Sequence, residues 1–297
     1  SLAACLKDKI TTAQLLSHHA ADAPEDLPEG IRTFLGSAVD LPTEYVDGCW
    51  KAFSSFIWKY NDNGKTKGSE ADTFRKFGLD NVLALCTLFL PTHYCNTPGC
   101  TYTSLLRDKD GPSKAVLYTL SDGACAMFAS HLSCLGCQTR YYPDYPVRNG
   151  IRVYYDKIPN EIQVAEHQYV ERAVLNLFTN LLLISWTSAT NGTRVYNEAL
   201  SQPENFPDHP DWMDTSFKLR PEHVWDSFVL LSLLEDYEAQ QVTLHVPHTG
   251  DQQERFTAAM QERKTRIQLL GQPEWGHHCT KCLRVWDKDG TMSVYYL

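Results

Sequence analysis

Two cysteine pairs, Cys95-x4-Cys100 and Cys134-x2-Cys137, constrain this chain more than any other feature. A short spacer lets one turn present two sulfurs, and four thiolates from two such turns suit Zn²⁺, which prefers tetrahedral sulfur and nitrogen ligands. Gly99 and Gly136 each stand directly before a cysteine, where a tight turn needs the freedom of glycine. Between the pairs, Asp108-Lys109-Asp110-Gly111 is a hairpin signal, so the segment is expected to fold as a small zinc-ribbon-like sheet. His93 and His131 are near enough in sequence to replace a ligand, but the four-cysteine set leads. Cys5, Cys49, Cys86 and Cys125 have apolar neighbours and read as small buried residues.

A chain of 297 residues is long enough to build a core without metal, so the site is expected to shape only part of a larger fold. Six of the ten cysteines fall in three close pairs with metal-ligand spacing, which fits a reducing, intracellular compartment better than a disulfide framework. The longest apolar run, residues 175–186, is interrupted by Asn176, Thr179, Asn180 and Ser185. It is shorter than the roughly 20 residues that span a bilayer, so it reads as a buried helix and no membrane partner is expected. The first residues show no basic segment leading into an apolar stretch, so no secretory signal is visible.

The expected fold is α+β: a mainly helical protein with an inserted zinc-ribbon-like β domain and a partial second zinc knuckle at the C-terminus. Residues 1–90 form its helical region, with apolar periodicity in 11–19 and in 45–60, where Val46, Trp50, Phe53, Phe56 and Ile57 share a face. Asn61 to Gly64 end that helix, and a further helix is expected over 79–90, stopped by Pro91. The four-cysteine domain occupies 91–155, with strand-like runs at 115–120 and 151–155. Residues 156–271 return to helix: 166–185, a shorter 187–200, one opened by Pro221, and 251–270, with a strand-like 241–246 between the last two.

Residues 272–297 repeat part of the first site. Leu105-Leu106-Arg107-Asp108-Lys109-Asp110-Gly111 follows Cys100, and Leu283-Arg284-Val285-Trp286-Asp287-Lys288-Asp289-Gly290 follows Cys282. Each reads as a cysteine knuckle feeding a hairpin. A second site would draw on Cys279 and Cys282, completed either by His277 or His278 or by ligands beyond residue 297.

Three functions compete. A net charge of −9 opposes whole-surface attraction to nucleic acid, so a DNA- or chromatin-binding module would need a local patch. Candidates are Arg140-Tyr141-Tyr142 beside Cys137, Arg148, Arg152, and Arg194 on the second helix of a possible helix-turn-helix, 166–185 with 187–200. The second function is a scaffold docking another protein. The third, a metal-dependent nuclease, finds only Asp208, Asp211 and Asp214 in a proline-rich loop. No phosphate loop, zinc-protease helix, nucleophile elbow or deaminase signature is present, so no catalytic residues and no small-molecule substrate are expected.

Three stretches carry a resemblance: Tyr94-Cys95-Asn96-Thr97-Pro98-Gly99-Cys100; Cys134-Leu135-Gly136-Cys137 with Tyr141-Tyr142-Pro143; and Trp186-Thr187-Ser188-Ala189-Thr190-Asn191-Gly192-Thr193-Arg194-Val195-Tyr196-Asn197. Together they resemble the cysteine-cluster (CxC-type) zinc-binding domains that accompany KDZ transposases in fungi. Gly271 to Cys282 looks like the start of a sister cluster from the same proteins. The resemblance implies association with a DNA transposon, a structural zinc, and contact with DNA, chromatin or the transposase, hence a nuclear location.

Overall fold

The computed structural model describes residues 2–3, 6–13, 22–59, 68–108, 111–251 and 254–270, with the backbone of 283–288 and 291–296. Cys5, residues 14–19, Asn61 to Gly64, Lys109, Asp110, and the entire candidate second site (His277, His278, Cys279, Cys282) lie outside the described residues.

Four helices come first: α1 (Lys7–Ala13), α2 (Glu29–Val39), α3 (Thr43–Lys59) and α4 (Gly68–Phe77). They bury Leu6, Ile10, Ile31, Phe34, Val46, Trp50 and Phe74 against one another, and Phe34 stacks on Phe74 at 4.8 Å. The amphipathic face of α3 is narrower than its periodicity suggests, because Phe53 and Phe56 are exposed.

Strands follow: β1 (Cys86–Leu88), β2 (Ser113–Tyr118), β3 (Ala124–Ala129), β4 (Leu132–Ser133), β5 (Arg140–Tyr141), β6 (Pro146–Arg148), β7 (Ile151–Val153), β8 (Glu161–Ala165) and β9 (Gln168–Glu171). Then come α5 (Arg172–Ser185), α6 (Ala189–Val195) with a π-helical turn over Tyr196–Leu200, α7 (Pro221–Ala239), β10 (His245–Pro247) and α8 (Thr257–Leu270). β11 (Leu283–Lys288) and β12 (Thr291–Tyr296) pair as an antiparallel hairpin, as the repeat led one to expect.

Two five-stranded sheets organise this material, in the orders β1-β3-β2-β9-β8 and β10-β7-β6-β5-β4. The architecture is therefore mixed α/β, and the strands are not confined to an inserted small domain. β2 pairs with β9, and β7 pairs with β10, so both sheets recruit strands from beyond residue 155. The main core fills the space between the sheets and α5, α6, α7 and α8, with Val116, Ile162, Val164, Val174, Phe178, Leu230 and Leu233 fully or nearly buried.

Three expected elements differ. Residues 79–90 are a single 3-10 turn, Leu79–Asn81, a left-handed Val82, and then β1 parallel to β3. A continuous apolar run of this length serves a buried strand as well as a helix. Residues 166–171 are not helix but a turn at left-handed His167 and β9, whose Tyr169 and Val170 are buried; helix begins only at Arg172. The stretch after Cys100 is not a hairpin either: Leu105 bridges to Tyr94 and Arg107 to Ser133, while β2 turns back on β3. The helix opened by Pro221 stands as expected, with Val224, Leu231 and Leu234 buried, whereas the helix expected from 251 starts at Thr257.

Candidate metal centre

The chain leaves the first sheet at Ser130 and His131, and enters the second through two very short strands, β4 and β5. The turn between them carries Cys134 and Cys137, and a loop over 91–108 folds across it carrying Cys95 and Cys100. Their four Sγ atoms all lie within 4.8 Å of one another. Cys95 Sγ is 3.6 Å from Cys137 Sγ, and Cys100 Sγ is 3.7 Å from Cys134 Sγ. These separations are far longer than a disulfide bond of about 2 Å. Four cysteines this close could bind a metal ion, and among the described residues they are the only such group.

Each turn is built for the purpose. In the first, Cys100 N–H donates to Thr97 carbonyl O at 3.1 Å, and Gly99 adopts φ +79°, where a side chain would be strained. In the second, Gln138 N–H donates to Cys134 carbonyl O and Cys134 N–H to Thr139 carbonyl O, both at 3.0 Å. Gly136 is needed for a different reason: a Cβ there would stand 2.7 Å from Tyr102 Cβ and 3.4 Å from Cys100 Sγ. Its absence of side chain lets the two loops close on each other.

Around the sulfurs runs a hydroxyl network. Tyr141 Oη lies 3.2 Å from Cys95 Sγ and 2.9 Å from Thr97 Oγ1, and accepts from Asn96 N–H at 3.2 Å. Thr97 Oγ1 donates to Thr139 Oγ1 at 3.2 Å, which lies 3.1 Å from Cys137 Sγ. Burial disfavours a thiolate at Cys137, but the bonds from Thr139 and Thr97 outweigh it and bring the thiol down to about 6. Cys95 is lowered in the same way, burial being outweighed by Thr97 and Tyr141. Cys100 moves up to about 11: the Tyr102 backbone favours its thiolate, yet burial and the neighbouring sulfurs outweigh that bond. Cys134 rises too, chiefly by burial. The hydroxyl bonds thus favour the thiolate at Cys95 and Cys137, while burial and the neighbouring sulfurs oppose it at Cys100 and Cys134.

His93 and His131 are not part of this cluster. His93 is buried nearby, and His131 stacks on Tyr142 with Nδ1 3.5 Å from Ser113 Oγ. Of the remaining cysteines Cys125 is buried, Cys86 half-buried, and Cys49 exposed on α3, against the expectation that it packs inward.

The candidate nucleic-acid residues divide by strand alternation. Tyr141 is fully buried with its hydroxyl at the sulfurs, so its ring cannot stack on a base. Arg140 and Tyr142, one residue either side, line the opposite face. They open onto a cleft of about 570 Å³ between the two sheets, which also takes in Arg152, His248 and Arg255. The last two were missed in the sequence, for they come from the β10–α8 connection, a hundred residues away. Arg148 is exposed, with Nη1 3.4 Å from Pro98 carbonyl O. Arg194, on α6, pairs with Glu198 at 3.8 Å, and buried Gly192 and Thr193 hold α6 against the core rather than free for a groove. Asp208, Asp211 and Asp214 are exposed, and Asp211 pairs with Lys114 at 3.5 Å. A larger cavity of about 820 Å³, lined by Ile31, Val82, Phe89 and Leu106, separates α2 from the cysteine loops. No helix among the described residues is long and apolar enough to cross a membrane.

Residues 83–200 match the family described as CxC5 like cysteine cluster associated with KDZ transposases. The matched span begins just before β1 and ends with the π-helical turn after α6, so it includes all four cysteines. No curated protein and no solved structure matches the chain.

Proposed function

We propose that this CxC5-type segment is a non-catalytic, zinc-dependent module that binds DNA or chromatin for a KDZ-type transposon, acting in the nucleus. The sulfur positions support zinc as the ion. A regular tetrahedron with metal–sulfur bonds of about 2.3 Å has sulfur–sulfur edges of about 3.8 Å, close to the observed 3.6 and 3.7 Å. An all-thiolate set also favours zinc over magnesium or calcium, which take oxygen ligands. Cys95, Cys100, Cys134 and Cys137 would hold it, and four protein ligands leave no open position for water, which makes the role structural.

The observation that carries the binding function is the alternation of β5 and its extension. Tyr141 reaches into the sulfur cluster, so the metal sets the position of the strand, and Arg140 and Tyr142 on the other face join Arg152 in one basic, aromatic surface. Arginine beside an aromatic ring suits phosphates and bases alike. With a net charge of −9, binding is expected to be local and strongly salt-dependent. Replacing Arg140 with Ala should weaken DNA binding about equally across sequences and lower the salt slope by about 1. A fluorescence anisotropy titration at several salt concentrations reads both; unchanged affinity and slope would remove Arg140 from the interface.

A second reading, a scaffold that docks the transposase protein, draws on a different place. Leu183, Ile184 and Trp186, at the end of α5, are 68, 74 and 90% exposed. Contiguous exposed apolar groups mark interaction surfaces. Pull-down of the transposase that is lost on Trp186→Ala, with DNA binding retained, would favour this reading over the first.

A further inference from the structure

The cleft behind Arg140 differs from an ordinary solvated basic patch in three ways. It is a recess, about 570 Å³ in volume, within the range of small-ligand sites. Its basic side chains come from three separate segments yet converge: Arg140 from β5, Arg152 from β7, and His248 and Arg255 from the segment between β10 and α8. Finally, among the described residues no carboxylate lies within ion-pair distance of Arg140 or Arg152, and the one carboxylate lining the cleft, Glu166, is on its rim beside His167.

The inner groups are fixed by one another. Arg152 Nε donates to His248 Nδ1 at 3.1 Å, and its guanidinium lies 4.4 Å from the centre of the Tyr145 ring. Arg255 Nη2 donates to His248 carbonyl O at 3.0 Å. A ring nitrogen that accepts from Arg152 leaves the imidazole proton on Nε2, so His248 is a neutral donor. Burial, reinforced by Arg152, Arg255 and Arg140, holds it neutral by lowering its pKa. Asp144 lies buried nearby, accepting from Gln163 N–H at 2.7 Å. Burial raises its carboxyl to about 7, so it offsets the arginines only in part. At Arg255, burial and Arg152 disfavour the charge, and Asp226 favours it. The wall is completed by Tyr142, stacked with His131 at 6.3 Å and 5.3 Å from Tyr145.

Convergent guanidinium groups in a low-dielectric recess favour an anion with several acceptor oxygens, and the guanidinium fork matches phosphate. The rings beside them offer flat apolar surface to a base. A phosphate inside a continuous duplex lies on a convex cylinder and cannot reach the bottom of a recess, whereas an unpaired nucleotide can enter it. From this geometry we infer that the cleft formed by Arg140, Arg152, His248 and Arg255 is a binding site for the phosphate of an unpaired nucleotide at a strand terminus. The inference deepens the nucleic-acid reading above and rests on it.

The test uses the full zinc-loaded chain and a labelled single-stranded octanucleotide, in three forms: 5′-phosphorylated, unphosphorylated, and within a blunt duplex lacking terminal phosphates. The phosphorylated strand is expected to bind at least tenfold more tightly than either other form. Arg152→Gln should remove that preference while zinc content and melting temperature are kept. Should Arg152→Gln not fold, Arg140→Gln on the exposed rim carries the same test. Equal binding of all three forms, unaffected by either variant, would overturn the cleft inference and leave the nucleic-acid reading standing. No binding of any form would overturn both. Binding of adenosine monophosphate with the same arginine dependence, but of no strand, would overturn both the strand-terminus inference and the nucleic-acid reading and assign the cleft to a free nucleotide instead.

Discussion

The main core and the cysteine corner are built on opposite principles within the same chain. In the core, β2 and β3 pair over six residues, and α5, α6 and α7 cover the sheet with Val174, Phe178, Leu230, Leu233 and their neighbours. Apolar burial of this extent, at roughly 25 cal/mol per Å², needs no metal. In the corner, the buried set is Leu90, Leu106, Leu132, Cys134 and Tyr141, the strands β4 and β5 have two residues each, and two of the contacts are isolated bridges. A few side chains cannot offset the conformational entropy of ordering these loops. The four sulfurs are where the missing stabilisation must enter.

That contrast can be broken by removing the metal. Cys134→Ser should abolish metal binding at the four-cysteine site, with a loss on the order of 10 kcal/mol confined to the corner. Trypsin should then cut after Arg107 and Arg140, while the helical circular dichroism signal of the main core stays; a concerted loss of all structure would mean the two regions are one cooperative unit. The reverse experiment is Ile162→Ala, at a fully buried core position, which should cost about 2 to 5 kcal/mol and lower the melting temperature with the metal retained. Loss of metal in that variant would join what the contrast separates.

Asp144 sharpens the comparison, because it is a buried carboxyl between the core and the cleft. Its folded pKa of about 7 lies above its ordinary value of 3.8. The protonated form is therefore favoured in the folded state, and this favourable contribution is full below pH 4 and lost as pH rises toward 7. Asp144→Asn should remove that fall, gaining roughly 2 to 4 kcal/mol over the wild type at neutral pH relative to pH 4, as read by urea melts at both values. A parallel pH dependence in the two proteins would contradict the raised pKa of the buried carboxyl. The smallest effect belongs to Tyr141→Phe, which removes one hydroxyl from Cys95. About 1 kcal/mol of stability and roughly tenfold in metal affinity should go, as measured by chelator competition. Affinity equal to wild type would show that the hydroxyl network is not tuning the sulfurs.

The cysteine corner was legible in the sequence because its ligands are local pairs, and spacing of that kind survives any rearrangement around it. β1 and β9 were not, since Val82 to Leu90 and Tyr169-Val170 are apolar in a way that fits a helix or a buried strand, and the choice was made by distant partners, β3 and β2. Grouping Tyr141 with Arg140 and Tyr142 as a nucleic-acid contact overlooks period-two alternation next to Cys137, which turns Tyr141 inward while Arg140 is exposed and Tyr142 half-buried. The cleft could not have been read, for Arg152 and His248 meet only through the pairing of β7 with β10.

The most direct measurement is the zinc-to-protein ratio of the purified chain, by elemental analysis, beside that of Cys134→Ser. The account requires the ratio to fall by one equivalent in the variant, whatever Cys279 and Cys282 contribute. An unchanged ratio, or no zinc in either protein, would contradict it and leave the four cysteines as packing residues.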